Sequence, residues 1–307
     1  MRTLVTGGAG FIGSNLADAL LDAGHEVTIV DNLSTGSKEN IPDKADFFAL
    51  DIADKQLADV FDRKQFDVVF HLAAQINVRA SVADPAEDAR INIVGSLNLL
   101  QESIKHKVSK VIFSSTGGAI YGEQDEFPAP ETHPERPISP YGISKLALEK
   151  YLYYYQVQHG LDYAVLRYSN VYGPRQNTQG EAGVVAIFCD RLLRGQEVVV
   201  NGDGKQTRDF VFIEDVVRAN LLAIGLKGSD IFNVGTGTEI DINTLFDKIA
   251  EAADSKQKRK NGPAMPGEQL RSSIACQKID RHLKWKPSVD IDEGIKQTVA
   301  YFRSQTG

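Results

Sequence analysis

Short β-branched and aromatic runs alternate with stretches whose apolar residues recur at helical spacing through the first half of the chain. Thr3 to Thr6, Val27 to Val30, Phe47 to Leu50, Val68 to Leu72, Val111 to Ser114 and Tyr163 to Tyr168 read as strands. Between them Gly13 to Ala23, Ala89 to Lys105 and Ser144 to Gln158 read as helices without internal proline. Strands alternating with helices predict an α/β fold, a doubly wound parallel sheet with helical crossovers. The pattern loosens after Gly173-Pro174. A polar stretch runs from Arg175 to Gly183, followed by a helix from about Val184 to Arg194 and a short strand at Val198 to Val200. The expected division is a first domain over residues 1–172, joined by part of 208–236, and a smaller second α/β domain over 173–307. The charged run Ser255 to Gly262 reads as a solvated loop.

A chain of 307 residues can bury a substantial core, and its formal net charge of −7 without a long Lys/Arg block argues against nucleic acid as a partner. The opening residues are too short an apolar run for a signal sequence, and no window reaches the roughly 18 apolar residues of a membrane span. The expectation is a soluble, cytoplasmic protein with no membrane partner. Cys189 and Cys276 stand far apart without CxxC or histidine spacing, which suggests neither a disulfide framework nor a structural zinc site, and no metal is expected.

The strand Thr3 to Thr6 runs into Gly7-Gly8-Ala9-Gly10-Phe11-Ile12-Gly13 and then a helix. Gly7 permits the tight turn, Gly10 lets backbone amides approach a pyrophosphate, and Gly13 lets helix and strand pack closely, with the helix N-terminus facing the phosphates. This is the dinucleotide signature of a Rossmann sheet. Asp31 ends the second strand, where a carboxylate takes both ribose hydroxyls of adenosine and repels a 2′-phosphate. The following Asn32-Leu33-Ser34 carries no arginine to neutralise one, so NAD is expected over NADP. Leu72-Ala73-Ala74 after the fourth strand suits close passage of a cofactor, whereas His71 reads as a structural histidine. Asp51-Ile52 offers either an adenine contact or a strand cap.

Tyr141-Gly142-Ile143-Ser144-Lys145 opens a helix and sets tyrosine and lysine at i and i+4 on one face. A free phenol, with a pKa of about 10, is ionised about once in a thousand at neutral pH, and a nearby ammonium and a positive nicotinamide both favour phenolate. Tyr141 is thereby a candidate base.

With the glycine signature, Asp31-Asn32, Ser114-Ser115-Thr116, Tyr141 to Lys145, Arg167 to Arg175 and Thr207-Arg208-Asp209-Phe210, nearly the whole chain resembles the extended short-chain dehydrogenase/reductases. Within them it is most similar to the UDP-glucose and UDP-N-acetylglucosamine 4-epimerases. The resemblance implies an NAD-dependent isomerase acting through a transient 4-keto sugar. Thr116, Tyr141 and Lys145 are then the catalytic residues, Lys145 holding the nicotinamide ribose and Thr116 bonding the sugar 4-hydroxyl. Ser114, Tyr168 and Asn92 fall at cofactor positions, although Asn92 could be an ordinary helix residue. The second domain would bind the nucleotide sugar through Asn170, Val184, Arg208, Glu268, Arg271 and Ser272. Met265 stands where some relatives carry arginine, which leaves Arg208 and Arg271 as the diphosphate candidates, or as surface salt bridges.

In similar 4,6-dehydratases an Asp-Glu pair follows the threonine, and in similar decarboxylases a glutamate does. Here Gly117 and Gly118 follow Thr116, so elimination lacks its acid and base and the hydride returns to the opposite face of carbon 4. The glycines are also compatible with a tight turn. Ser272 falls where a bulky tyrosine excludes N-acetylated sugars, so UDP-GlcNAc and UDP-GalNAc are expected beside UDP-glucose and UDP-galactose. A UDP-glucuronate 4-epimerase and a non-catalytic NAD-binding or nucleotide-sensing module are the alternatives. The resemblance also implies a homodimer through helices around Ala89 to Ile104 and Ser144 to Gln158, where Tyr151, Leu152, Tyr154 and Tyr155 offer more apolar surface than one core stripe needs.

Overall fold

The computed structural model describes residues 1–178, 183–264 and 269–305. Its main layer is a seven-stranded parallel sheet made of β1 (Arg2–Thr6), β2 (Glu26–Asp31), β3 (Asp46–Ala49), β4 (Val68–His71), β5 (Lys110–Thr116), β6 (Asp162–Tyr168) and β10 (Asp230–Val234). Their spatial order is β10-β6-β5-β4-β1-β2-β3. Neighbouring residues in these strands face opposite ways. Val5, Ile29, Phe70, Ile112 and Leu166 enter one apolar cluster, while Leu4, Val30, Val69, Val111 and Val165 enter the other. Both faces are buried, which explains why the strands read as unbroken apolar runs. Helices Leu57–Arg63, Ser96–Lys105 and Pro140–His159 cover the second face, and Phe11–Asp22 with Ile213–Ile224 the first.

The remaining strands form two small sheets. β7 (Asn170–Tyr172) and β11 (Glu239–Asp241) flank β9 (Thr207–Phe212), and β8 (Val198–Asn201) pairs with β12 (Arg259–Gly262) in parallel. Their core is continuous with the main one. A single cluster runs from Leu166 and Phe232 through Phe188, Phe212 and Phe246 to Trp285 and Phe302. Because the helix Ile213–Ile224 and β10 come from the second half, the late chain completes the sheet that carries the glycine loop.

Two sequence expectations change. Ser255 to Gly262 is not all solvated loop, because Arg259–Gly262 forms β12. There the β8 backbone supplies ladder partners, and Arg259 lies over the Phe246 ring while pairing with Asp247. Backbone satisfaction outweighs side-chain polarity at this edge. Ala89 to Lys105 is not one α-helix: a π-helical stretch, Arg90–Gly95, separates Pro85–Ala89 from Ser96–Lys105. The Asn92 side chain is buried there, bonded to Gln75 and Asp88, and Gly95 packs on Ile52. Such wide turns occur where a side chain must be re-aimed.

Candidate active site

The end of β1 delivers the glycine loop to the carboxyl edge of the sheet, where strand order reverses between β1 and β4. Gly7 has a φ of +72°, and a β-carbon on it would stand 2.7 Å from the Ala73 amide nitrogen. A β-carbon on Gly13 would lie 2.1 Å from the Gly7 carbonyl oxygen. The loop is therefore tight against both its own helix and the Leu72-Ala73-Ala74 segment. The Phe11–Asp22 helix starts at this point, with Phe11 and Ile12 in its first turn and no side-chain cap, so no capping side chain competes with an anion for its first amides.

Asp31 closes β2 beside this loop. Its Oδ2 accepts from the Ala9 amide at 3.0 Å and its Oδ1 from the Leu33 amide at 2.8 Å, which leaves a lone pair on each oxygen for a diol. Asn32 donates to Asp51 at 2.9 Å, and Asp51 caps the turn through the Ala53 amide, with Ile52 buried behind it. Thr6 Oγ accepts from the Leu72 and Ala73 amides, each at 3.2 Å. His71 is buried between Thr6 Oγ and Ser96 Oγ, at 2.8 and 2.7 Å. Burial, with the Lys145 charge adding to it, pushes the imidazole down to about 3, so it is a neutral structural group.

The helix Pro140–His159 begins with Ser139 capping the Gly142 amide and Pro140 in the first turn. Tyr141, Lys145 and Glu149 follow at four-residue intervals along it. Lys145 Nζ donates to the Ser114 carbonyl at 2.9 Å and lies 4.8 Å from the Phe113 ring centre and 5.9 Å from that of Tyr141. One turn on, Ser115 Oγ donates to Glu149, whose carboxylate also holds the buried Arg167 of β6. Thr116 caps the short helix Gly117–Ile120 through the Ala119 amide at 3.2 Å. A β-carbon on Gly142 would come within 2.7 Å of the Ala119 carbonyl, so the Tyr141 turn sits directly on the Thr116 turn. Tyr168 lies opposite Thr116 in the β5–β6 ladder, and its hydroxyl accepts from Asn220.

Burial brings the Lys145 ammonium down to about 8, opposed by Asp88 and Glu149. Burial and the Asp88 charge hold the Tyr141 phenol above its ordinary value. The sequence expectation that the neighbouring ammonium favours phenolate is thus incomplete: in the protein alone burial wins, and Tyr141 is protonated at neutral pH.

Residues 269–275 run from β9 to the Thr116 turn. Leu270 accepts from Thr207, Ser273 pairs with Ala129 and Gln124, and Ile274 donates to Asp209. Ser272 is buried, and a β-carbon on Gly118 would find only Ser272 Oγ and Thr116 Oγ, both at 4.0 Å. On Gly117 it would meet Ile274 at 2.9 Å. The turn reading therefore applies to Gly117, while Gly118 faces open space between the two hydroxyls. Arg208 donates to the Thr207 carbonyl at 2.8 Å. Arg271 is paired with Glu239 and stacked on Phe127, its guanidinium carbon 3.9 Å from the ring centre, so the salt-bridge reading describes it in this structure. Asn170 is exposed at the start of β7, and Val184 opens the helix Val184–Leu193. Met265 and Glu268 lie outside the described residues.

The profile of the NAD dependent epimerase/dehydratase family matches residues 3–235. The chain belongs to that family. It is 46% identical over 301 residues to a putative UDP-glucose 4-epimerase of Methanocaldococcus jannaschii, covering 98% of each chain. A UDP-glucose 4-epimerase of Thermotoga maritima, solved with UDP-glucose, superposes with a TM-score of 0.98 at 49% identity over 100% of both chains. The Thermus thermophilus UDP-glucose 4-epimerase solved with NAD gives 0.94 at 45% identity, covering 99% of each. Other members include 4,6-dehydratases, so family membership leaves the reaction to the site.

Sequence reasoning missed Asp88, Glu149 and Glu239. Each sits on a helix or strand, and a partner that defines its role, Ser144 for Asp88, Arg167 for Glu149 and Arg271 for Glu239, stands 56, 18 and 32 residues away and meets it only in the fold. Among the described residues no helix is long and apolar enough to cross a membrane, and no group of three or more His, Cys, Asp or Glu could hold a metal.

Proposed function

We propose that this protein is an NAD-dependent 4-epimerase of UDP-hexoses that interconverts UDP-glucose and UDP-galactose, and UDP-GlcNAc and UDP-GalNAc, through a transient 4-keto sugar. The observation that carries it is the Tyr141–Lys145 pair against β5 and the Thr116 turn, with glycine rather than acid at positions 117 and 118.

Bound NAD supplies the hydride acceptor and donor for carbon 4. The glycine turn with Phe11 and Ile12 receives its pyrophosphate, and Asp31 its adenosine ribose, beside Asn32, Asp51 and Ile52. Leu72, Ala73, Ala74, Asn92, Ser114 and Tyr168 would complete the surface that holds it. Burial holds Tyr141 protonated in the protein alone, and Lys145, with the positive charge that a bound nicotinamide would add, would favour its ionisation. Tyr141 then takes the 4-hydroxyl proton while Thr116 hydrogen-bonds that oxygen, and returns the proton after the sugar turns over. Asn170, Val184, Arg208 and Arg271 bind the nucleotide diphosphate end, Arg271 exchanging Glu239 for phosphate, and Glu268 takes the uridine ribose. Open space at Gly118 and the small Ser272 accommodate an N-acetyl group.

The enzyme acts as a cytoplasmic homodimer. Of the residues expected to offer surplus apolar surface, Leu152 and Tyr155 are buried in the intramolecular core, whereas Tyr151 and Tyr154, with Tyr153 and Val157, are 39, 51, 61 and 55% exposed on the helix Pro140–His159, an apolar face that a second copy would cover. Light scattering at micromolar concentration checks this, and a monomer rejects it. The activity is tested by incubating purified protein with the four UDP-hexoses and UDP-glucuronate, separating products and assaying bound NAD. Epimerised hexoses from the wild type and none from folded Tyr141→Phe are expected. Turnover of UDP-glucuronate alone, or full activity in the variant, overturns the reading.

A further inference from the structure

Asp88 is buried on the short helix Pro85–Ala89 and accepts three side-chain hydrogen bonds. Gln75 and Asn92 donate to Oδ1 at 2.9 and 3.0 Å, and Ser144 donates to Oδ2 at 2.6 Å. These donors come from three places: the loop after β4, the π-helical stretch, and the helix carrying Tyr141 and Lys145. Asn92 in turn pins Gln75 through both its main-chain groups, its Oδ1 accepting from the amide and its Nδ2 donating to the carbonyl. A buried carboxylate with no cation bonded to it is costly, and so calls for a role. The charged and titratable groups around the Tyr141–Lys145 pair are few. Asp88 faces it from its own helix, Glu149 lies one turn along, His71 approaches Lys145 from β4, and the Tyr168 phenol of β6 bonds Ser114, whose carbonyl holds Lys145. Glu149 is already matched by Arg167, and His71 is neutral. Among these groups of the described residues, Asp88 is the charge left to face the pair.

We propose that Asp88 is a positioning residue for the epimerase site: it ties the cofactor-side loop to the catalytic helix and serves as the counter-charge to Lys145. The inference rests on the functional reading above for the role of Tyr141. Its charge favours the Lys145 ammonium against burial and disfavours the Tyr141 phenolate. Burial, the larger cause, and this charge together hold the tyrosine protonated in the protein alone, so forming the base would require the positive charge of bound, oxidised NAD.

Asp88→Asn separates charge from geometry. Its Oδ1 still accepts from Gln75 and Asn92, and its amide donates to Ser144, whose hydroxyl can accept as well as donate. In NAD-loaded protein the tyrosinate absorbance, taken as the difference from Tyr141→Phe, should titrate about one pH unit lower in Asp88→Asn. Both limbs of the kcat profile should move the same way, because Lys145 also loses its proton earlier. Ser144→Ala keeps the charge and removes one bond, so kcat should fall with the limbs unmoved. A superimposable titration in Asp88→Asn, or an equal shift in Ser144→Ala, overturns the proposal. The absorbance titration needs no nucleotide sugar, so a protein inactive on UDP-hexoses would fail the functional reading and leave this measurement standing.

Discussion

Replacing Gly13 with alanine puts a methyl carbon 2.1 Å from the Gly7 carbonyl oxygen and 2.8 Å from both the Gly7 carbonyl carbon and Gly8 Cα. An ordinary carbon–oxygen contact is about 3.3 Å or more, so helix and turn must separate by roughly 1 Å. Neither partner is a flexible side-chain end: the Gly7 carbonyl accepts from Gly10, and the Gly7 amide is bonded to Val30 in β2. Overpacking of this kind costs about 1–3 kcal/mol of stability. The same displacement moves the first amides of the helix, which the proposed function assigns to the pyrophosphate, and losing one charge-assisted hydrogen bond of about 1.5–3 kcal/mol would weaken NAD binding roughly 10- to 150-fold. Thermal unfolding of the NAD-free protein and titration with NAD separate the two effects. Gly24→Ala is the control. It has a φ of +78° but nothing within 4 Å, so it should lose stability through backbone strain and keep its NAD affinity. A Gly13→Ala protein with unchanged NAD affinity would refute the role given to the turn.

Gly117→Ala should be destabilised by about 1–3 kcal/mol in chemical denaturation, because its methyl collides with Ile274, whereas Gly118→Ala should melt at or above the wild-type temperature. Ser272→Tyr should abolish turnover of UDP-GlcNAc and spare UDP-glucose, which steady-state kinetics on both sugars would check. His71 links stability to pH. Its folded value is depressed to about 3 from 6.5, so its contribution is complete above pH 6.5 and is lost as pH falls toward 3. By pH 5 the loss is about 2 kcal/mol, and an otherwise well-folded His71→Asn variant should show a correspondingly flatter stability profile over that window.

The sheet and the cofactor loop were legible in the sequence because both are local. Val111-Ile112-Phe113 and Val68-Val69-Phe70 announce strands buried on both faces, and the Gly7, Gly10 and Gly13 spacing encodes close approaches that the fold realises on Ala73 and Gly7 itself. Tyr141 and Lys145 were legible for the same reason, as one helical face. What could not be read depends on distant partners. β12 forms from a charged run because β8 offers a backbone edge, and the π-helical stretch forms because Gln75 and Asp88 capture Asn92. The upward shift of Tyr141 was not legible because it comes from burial and then from the charge of Asp88, 53 residues away, and spacing along the helix reveals neither. The strap at 269–275 is similar: its sequence carries no strong period, and its path is set by Asp209, Gln124 and Ala129.

The central claim is that hydride leaves carbon 4 and returns to it within one site, with Tyr141 moving the hydroxyl proton. UDP-galactose deuterated at carbon 4 should be converted in ordinary water to UDP-glucose that keeps its deuterium on carbon 4. Loss of the label to solvent, or no interconversion by protein carrying stoichiometric NAD, would contradict the account.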